Sequence, residues 1–315
     1  MISYIIKRIL SLIPVLAVVA VVVFALVHLS PGDPASVILG PDASAADVDR
    51  LREELGLNSP VFQQFFVWLG NAVTGDLGAS LYNGTPVTAV FLDYFWPTLS
   101  LAIFAQIIGI VVALPMGVFA ALNRGKGIDG ALMSFALVGI SVPSFLMGLL
   151  LILFFAVFLN WLPVAGYAPL SDGLLTHLKF LLLPAISLGF IQAALITRIT
   201  RAAMLEVMNN AYVKTARAKG LPRAAIVVKH TLRNAFIPIL EIIGQTFTTL
   251  IAGAVVVEFV FNIPGLGQLI VNSVERRDFP VIQGTVLIVA FGYVLINLII
   301  DLIYGIVDPR VRLDQ

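Results

Sequence analysis

The chain has 315 residues, of which 59% are apolar and 12% charged, about half the charged share of a soluble domain. That balance excludes an ordinary water-soluble globule and makes lipid the solvent for much of the chain. The 19 basic and 18 acidic residues leave a formal charge of +1, and the absence of Cys excludes disulfides, thiolate nucleophiles and Cys-based metal sites.

The first apolar run, Ile9 to Leu29, follows Lys7 and Arg8. It is longer than the core of a signal peptide, and no small-x-small cleavage site follows before Ser30-Pro31-Gly32-Asp33, so residues 1–29 read as a retained span. Residues 30–96 form an external loop. In it Ser44-Ala45-Ala46-Asp47 is a capping-box helix start, Gly56 is a stop, and Val48, Leu51 and Leu55 share a face between them. A second stripe of Val61, Phe62, Phe65, Phe66 and Leu69, with Trp68 nearby, predicts a helix that lies at the membrane surface or packs on the spans.

Five more spans make up a core over 97–307. They are Pro97–Leu122, a tilted Ala131–Leu159, Phe180–Ile199, Phe236–Val257 and Val281–Val307. A re-entrant or interfacial stretch holding Pro163, Gly166 and Pro169 follows the third. Between spans lie a basic loop, 200–235, and an external loop, 258–280; a tail, 308–315, closes the chain. Six spans put both termini on one side. Placing them in the cytoplasm leaves only Arg50, Arg52, Lys179, Arg276 and Arg277 of the 19 basic residues outside, as the positive-inside rule requires. The near-neutral total therefore hides a basic inner side and an acidic outer one.

Chemistry-bearing motifs are missing. Gly125-Lys126-Gly127 lacks the upstream Gly and the following Ser or Thr of a phosphate loop. His28, His177 and His230 are scattered, with no H-E-x-x-H spacing, and there is no G-x-S-x-G elbow. No catalytic or metal residue is assigned, no cofactor is expected in the chain itself, and neither a resident enzyme activity nor a nucleic-acid partner is expected.

The informative segment is Asn209 to Pro238. Ala211 to Lys219 is a short helix, stopped at Gly220 with Pro222 beyond it. Small residues at Thr215, Ala216 and Ala218 let another protein approach, and Lys214, Arg217, Lys219 and Arg223 surround that contact with charge. The same basic helix can instead hold anionic lipid headgroups. Both readings stay open on the residues alone.

The run Thr215-Ala216-Arg217-Ala218-Lys219-Gly220-Leu221, with Leu232-Arg233-Asn234-Ala235 and Ile237-Pro238, resembles the ATPase-coupling loop of ABC importer permeases, in particular the B-type subunit of the dipeptide, oligopeptide, nickel and glutathione importers. The resemblance extends over nearly the whole chain. It takes in Pro31-Gly32-Asp33-Pro34, Gly75-Asp76-Leu77-Gly78, Pro264-Gly265-Leu266-Gly267, Arg277-Asp278-Phe279-Pro280-Val281, Asp301 and Asp308-Pro309-Arg310. Against the broader E-A-A loop, aligned on Gly220, Lys214 stands for the Glu and Thr215 for the first Ala. Ala216 and Leu232 match, and His230 and Arg233 replace the Ile and Pro.

The resemblance implies an all-α, six-span type I importer permease in the bacterial inner membrane. It would pair with a second homologous permease, two ABC ATPases that bind ATP and Mg, an external substrate-binding protein and membrane lipid. Lys214, Thr215, Ala216, Arg217, Lys219, Gly220 and Leu221 would then couple to the ATPase. Dipeptides or short oligopeptides are the expected cargo; nickel complexes, glutathione or another small solute are the alternative, and an ion-coupled secondary transporter is a remote one. For the pathway or gate, Glu241, Gln245, Gln192 and Ser141 are the polar candidates within spans. Glu241 can meet a peptide amino terminus or an inner gate, or simply pair with Arg198 or Arg233. Asn262, Pro264, Gly265, Leu266 and Gly267 are candidates for touching the binding protein, or else an ordinary packed turn.

Overall fold

Long apolar segments in lipid must satisfy their own backbone N–H and C=O groups, and helices do so within one segment. The computed structural model follows this rule; it describes residues 2–29, 34–40, 43–54 and 56–307. In chain order the helices are α1 (Ile2–Leu29), α2 (Pro34–Leu39), α3 (Ala45–Glu54), α4 (Val61–Val73), α5 (Val87–Leu122), α6 (Gly127–Ser141) and α7 (Ser144–Leu151). Then come α8 (Leu174–Met208), α9 (Ala211–Ala218), α10 (Arg223–Ala225), α11 (Arg233–Gly253), α12 (Val255–Val260), α13 (Leu266–Arg276) and α14 (Phe279–Val307). Two π-helical stretches, Ile152–Phe158 and Ile226–Leu232, extend α7 and join α10 to α11. Apart from one bridge, Ala79 to Pro86, no strand pairing occurs among the described residues. The motif ends at Pro31-Gly32-Asp33 and Asp308-Pro309-Arg310, together with Leu55 and Arg312, lie outside the described residues.

Four described helices are long and apolar enough to cross a membrane, five if the α6–α7 pair counts as one span, and α1 carries a further apolar run from Leu10 to Leu26. The single tilted span expected over Ala131–Leu159 is not what forms. Its two halves meet at 102°. Val142 is extended (φ −87°, ψ 121°), as a residue before proline prefers, and Pro143 then starts α7 without an N–H to continue the ladder.

The chain divides into two units: Met1–Trp96 with Gly265–Leu298, and Pro97–Pro264 with Ile299–Gln315. In the first, the expected cap of α3 forms, Ser44 Oγ accepting from Asp47 N at 3.2 Å, and Gly56 stops that region at φ 67°. The α4 stripe combines both expected behaviours. Phe65 and Trp68 pack on Phe24 of α1 (centroids 5.2 and 5.8 Å), while Phe62 and Phe66 stay exposed. A core of Val87, Phe91, Leu266, Leu269 and Val281 gathers the start of α5, α13 and the start of α14. Gly284 is required there, since a Cβ on it would lie 2.5 Å from Val87 Cγ1.

The same unit joins two separated motifs. In Gly75-Asp76-Leu77-Gly78 the Asp76 side chain accepts from Gly78 N at 2.9 Å, turning the chain towards Ser80. Asp278, 5% exposed, accepts from Ser80 Oγ at 2.5 Å and from Leu81 N at 3.2 Å, and Tyr82 Oη donates to the Arg276 carbonyl.

In the second unit α8 is the central post, packed by α6, α7 and α11. Its seam with α5 is closed by small residues on one helical face, Gly109, Ala113 and Gly117. A Cβ on Gly117 would sit 2.5 Å from Thr200 Cβ and 2.9 Å from the Thr197 carbonyl oxygen. The largest core holds Leu101, Leu181, Leu188, Leu250, Val257, Phe261 and Ile263. The stretch with Pro163, Gly166 and Pro169 is tied to it by Gly166 N donating to Phe261 O at 2.7 Å, and Ala168 O lies 2.7 Å from His177 Nδ1.

Candidate functional site

Local rules build the α9 segment. Asn210 is extended at its start, Gly220 adopts φ 75° at its end, and Pro222 begins α10. Val213 and Ala216, three apart and so on one face, are buried against Ile226, with Val207 beside them. Tyr212 Oη donates to His230 O at 3.2 Å, and Asn234 Nδ2 donates to Tyr212 Oη and His230 O at 2.9 and 3.0 Å, bracing α9 on the start of α11. Lys214, Thr215, Arg217, Ala218, Lys219, Gly220 and Leu221 are exposed on the other side. Ala216 is the exception among the expected coupling residues. It is 6% exposed and packs within the segment, so it offers no surface to a partner. Arg217, Leu221 and Arg223 border a cavity of about 450 Å³ that also touches Leu122, Met208 and Thr231.

An ion pair that the sequence did not reveal fixes the neighbouring loop. Arg201 of α8 grips Asp129 of α6 through Nε–Oδ1 (2.6 Å) and Nη2–Oδ2 (2.7 Å), and Gly125 N also donates to Asp129 at 3.0 Å. Such forked, charge-assisted contacts are strong and directional.

The expected pathway residues separate into two sets. Glu241 and Gln245 are exposed on α11, and Thr249 continues their stripe four residues on. No ion pair joins Glu241 to Arg198 or Arg233 among the described residues, so the simple pairing alternative does not form. On the far side of the helix Thr246 is buried, taking part with Ile243 O in holding Gln106 Nε2, both at 3.1 Å. Gln192 does not join the stripe. It is buried beside Gly109 in the α5–α8 seam, with Oε1 unpartnered among the described residues. Ser141 is exposed at the end of α6, bonded back to Leu137 O at 2.9 Å.

In the Asn262–Gly267 turn only Asn262 and Pro264 are exposed; Gly265, Leu266 and Gly267 are buried. That burial favours the packed-turn alternative for these three. Next to the turn stands a group expected from the sequence in the external loop, 258–280. Glu258 of α12 is fully buried and accepts from Thr98 Oγ1 at 2.5 Å. The described residues contain no cluster of three His, Asp or Glu able to hold a metal.

Residues 113–313 match the family model described as binding-protein-dependent transport system inner membrane component, and residues 1–102 match the N-terminal model of the same systems. A probable peptide ABC transporter permease, y4tP of Sinorhizobium fredii, is 43% identical over 98% of this chain and 99% of its own length. The glutathione transport system permease GsiC of Escherichia coli (strain K12) is also 43% identical, over 99% of both chains. In fold, the chain is similar to a subunit of the inward-facing MetNI methionine ABC transporter, with TM-score 0.57, 21% identity, and coverage of 70% of this chain and 97% of that one. The full-length matches and the helical membrane fold together assign the chain to the binding-protein-dependent transport system inner membrane components, the multi-pass inner-membrane permeases of ABC importers.

Proposed function

We propose that the chain is one of two permeases in an ATP-driven importer that carries dipeptides or short oligopeptides across the bacterial inner membrane. It would cross six times, with both termini in the cytoplasm, as the distribution of Lys and Arg favours. One observation carries the reading: α9 is a short, braced helix that turns Lys214, Thr215, Arg217, Lys219 and Leu221 outward while anchoring itself through Val213 and Ala216. A partner ATPase, which binds the ATP and Mg, docks on that face. Closure of the ATPase pair pushes α9, and the Tyr212–His230–Asn234 bonds pass the push to α11. The polar stripe Glu241, Gln245 and Thr249, too polar to face lipid, borders the path shared with the second permease. An external binding protein supplies the cargo.

Peptide cargo is favoured by the name of the y4tP relative, and the equally similar GsiC makes glutathione, or a nickel complex or other small solute, the alternative. Proteoliposomes containing the assembled importer, loaded with its binding protein and given labelled dialanine or glutathione, test the proposal. Uptake that needs both ATP and the binding protein, and prefers dialanine, is the expected result. Uptake driven by an ion gradient without ATP would overturn it, and preference for glutathione would move the cargo to the alternative.

A further inference from the structure

The cavity beside α9 combines two features that coupling to an ATPase leaves unused: an apolar interior and a basic wall. Leu122 at the end of α5, Met208 at the end of α8, and Val227 of the π-helical stretch Ile226–Leu232 line its roughly 450 Å³, which lies within the range of small-molecule sites. Arg217 and Arg223 are the charged residues on its wall. Both are exposed, whereas Ile226 and Thr231 are buried, so the charge stands at the open side and the apolar surface within. Arg223 Nη2 reaches the Leu122 carbonyl at 3.5 Å, the limit of a hydrogen bond, which leaves most of its donor fork to accept a ligand. Among the described residues no carboxylate pairs with either arginine.

Charge and depth narrow the occupant. From Arg198 to Arg233 the chain carries eight basic residues and one acid, Glu206. Asp129, the acid that α6 brings to α8, is already held by Arg201. Two uncompensated guanidinium forks suit a phosphate, and the apolar interior beside them suits a hydrocarbon tail on the same molecule. The helical run Arg223–Ile251 is long and apolar enough to cross a membrane. Its 29 residues extend about 43 Å at helical rise, against a hydrocarbon core of about 30 Å, so its first turns reach the headgroup layer. In the proposed orientation that layer is cytoplasmic, where basic pockets between spans take anionic headgroups. We infer that the cavity binds an anionic phospholipid of the inner leaflet. Arg217 and Arg223 share its phosphate, and the start of its acyl chains lies on Leu122, Met208 and Val227. The inference rests on the orientation in the importer reading given above, not on its cargo or energy source.

The test uses the complete importer, stripped of lipid in neutral detergent and offered dioleoyl phosphatidylglycerol or dioleoyl phosphatidylcholine, with bound lipid counted by native mass spectrometry. Phosphatidylglycerol should be retained in preference to phosphatidylcholine. Arg223→Gln should weaken that retention about fivefold, and Arg217→Gln with Arg223→Gln at least about tenfold, without moving the unfolding midpoint. Lys214→Gln, on the same helix but outside the cavity, should change it less than about twofold. An equal loss in Lys214→Gln marks diffuse surface attraction and overturns the inference. Equal retention of the two lipids does so too, as does displacement of phosphatidylglycerol by inorganic phosphate. Retention by the permease alone but not by the complete importer means that an ATPase group fills the cavity, and also overturns it. Selective retention in a preparation that shows no ATP-driven uptake counts against the importer reading and supports this inference.

Discussion

Arg201 and Asp129, far apart in sequence, meet in a two-pronged ion pair that ties the first turn of α6 to the last third of α8. The Asp129 side chain is 8% exposed and the Arg201 side chain 26%, so removing one partner strands the other with little water to replace it. Asp129→Asn should destabilise the protein by about 1–3 kcal/mol, read as a lower midpoint of thermal unfolding in detergent. Arg201→Lys should cost nearly as much, because a single ammonium cannot reproduce the fork. Equal stability of wild type and Asp129→Asn would show that the pair contributes nothing.

The two sides of α9 predict two different failures. Ala218 is exposed and Ala216 is buried, two residues away. Ala218→Trp should leave expression and unfolding unchanged while reducing ATP-coupled uptake at least about tenfold, since a bulky ring blocks the close approach of a partner helix. Ala216→Trp overpacks the Val213–Ile226 cluster and should lower stability by about 1–3 kcal/mol. Full uptake by Ala218→Trp would remove α9 from the coupling route.

Sequence carried the local features because their causes are local. Ser44 caps, Gly56 and Gly220 stop helices, and the apolar runs become helices, all through neighbours a few residues away. The break at Pro143 had a local cause too, but a long uncharged window masked it. Pairings such as Ser80 with Asp278 or Arg201 with Asp129 had no such signal, since each partner looks like an ordinary polar residue until the fold brings them together. The direction of Ala216 was hidden for another reason. Eight residues give too few turns for periodicity to say which face is inward. Glu258 followed an apolar run and so read as the start of a loop, although burial and Thr98 keep it in the interior.

The α5–α8 seam gives a steric prediction. Gly117→Ala places a methyl 2.5 Å from Thr200 Cβ and 2.9 Å from a backbone oxygen, Thr197 O, and contacts under 3 Å force movement. A loss of about 1–3 kcal/mol follows, seen as lower yield of folded protein and an earlier melt. Adding Thr200→Ala should restore only part, because it removes the Cγ2 contact at 2.7 Å but keeps the Cβ at 2.5 Å and the Thr197 carbonyl oxygen at 2.9 Å. Complete rescue by the double variant would show that the Thr200 Cγ2 contact alone matters.

Glu241 offers the sharpest separation between binding and gating. Its carboxylate stands exposed on a membrane span, in line with Gln245 and Thr249, and no described basic side chain neutralises it. A carboxylate kept there without a partner is costly in lipid and needs water, a second subunit or a cationic cargo beside it. If it receives the protonated amino terminus of a peptide, Glu241→Gln removes a charge-assisted contact worth about 1.5–3 kcal/mol. Uptake efficiency for dialanine should then fall roughly tenfold or more, mainly through KM, with basal ATP hydrolysis unchanged. If it closes an inner gate instead, the same variant should hydrolyse ATP faster in the absence of cargo and leave KM alone. Because the carboxylate holds no bond among the described residues, both readings expect normal folding, so the kinetics separate them without a stability correction. Wild-type uptake and wild-type basal hydrolysis together would place Glu241 off the transport path.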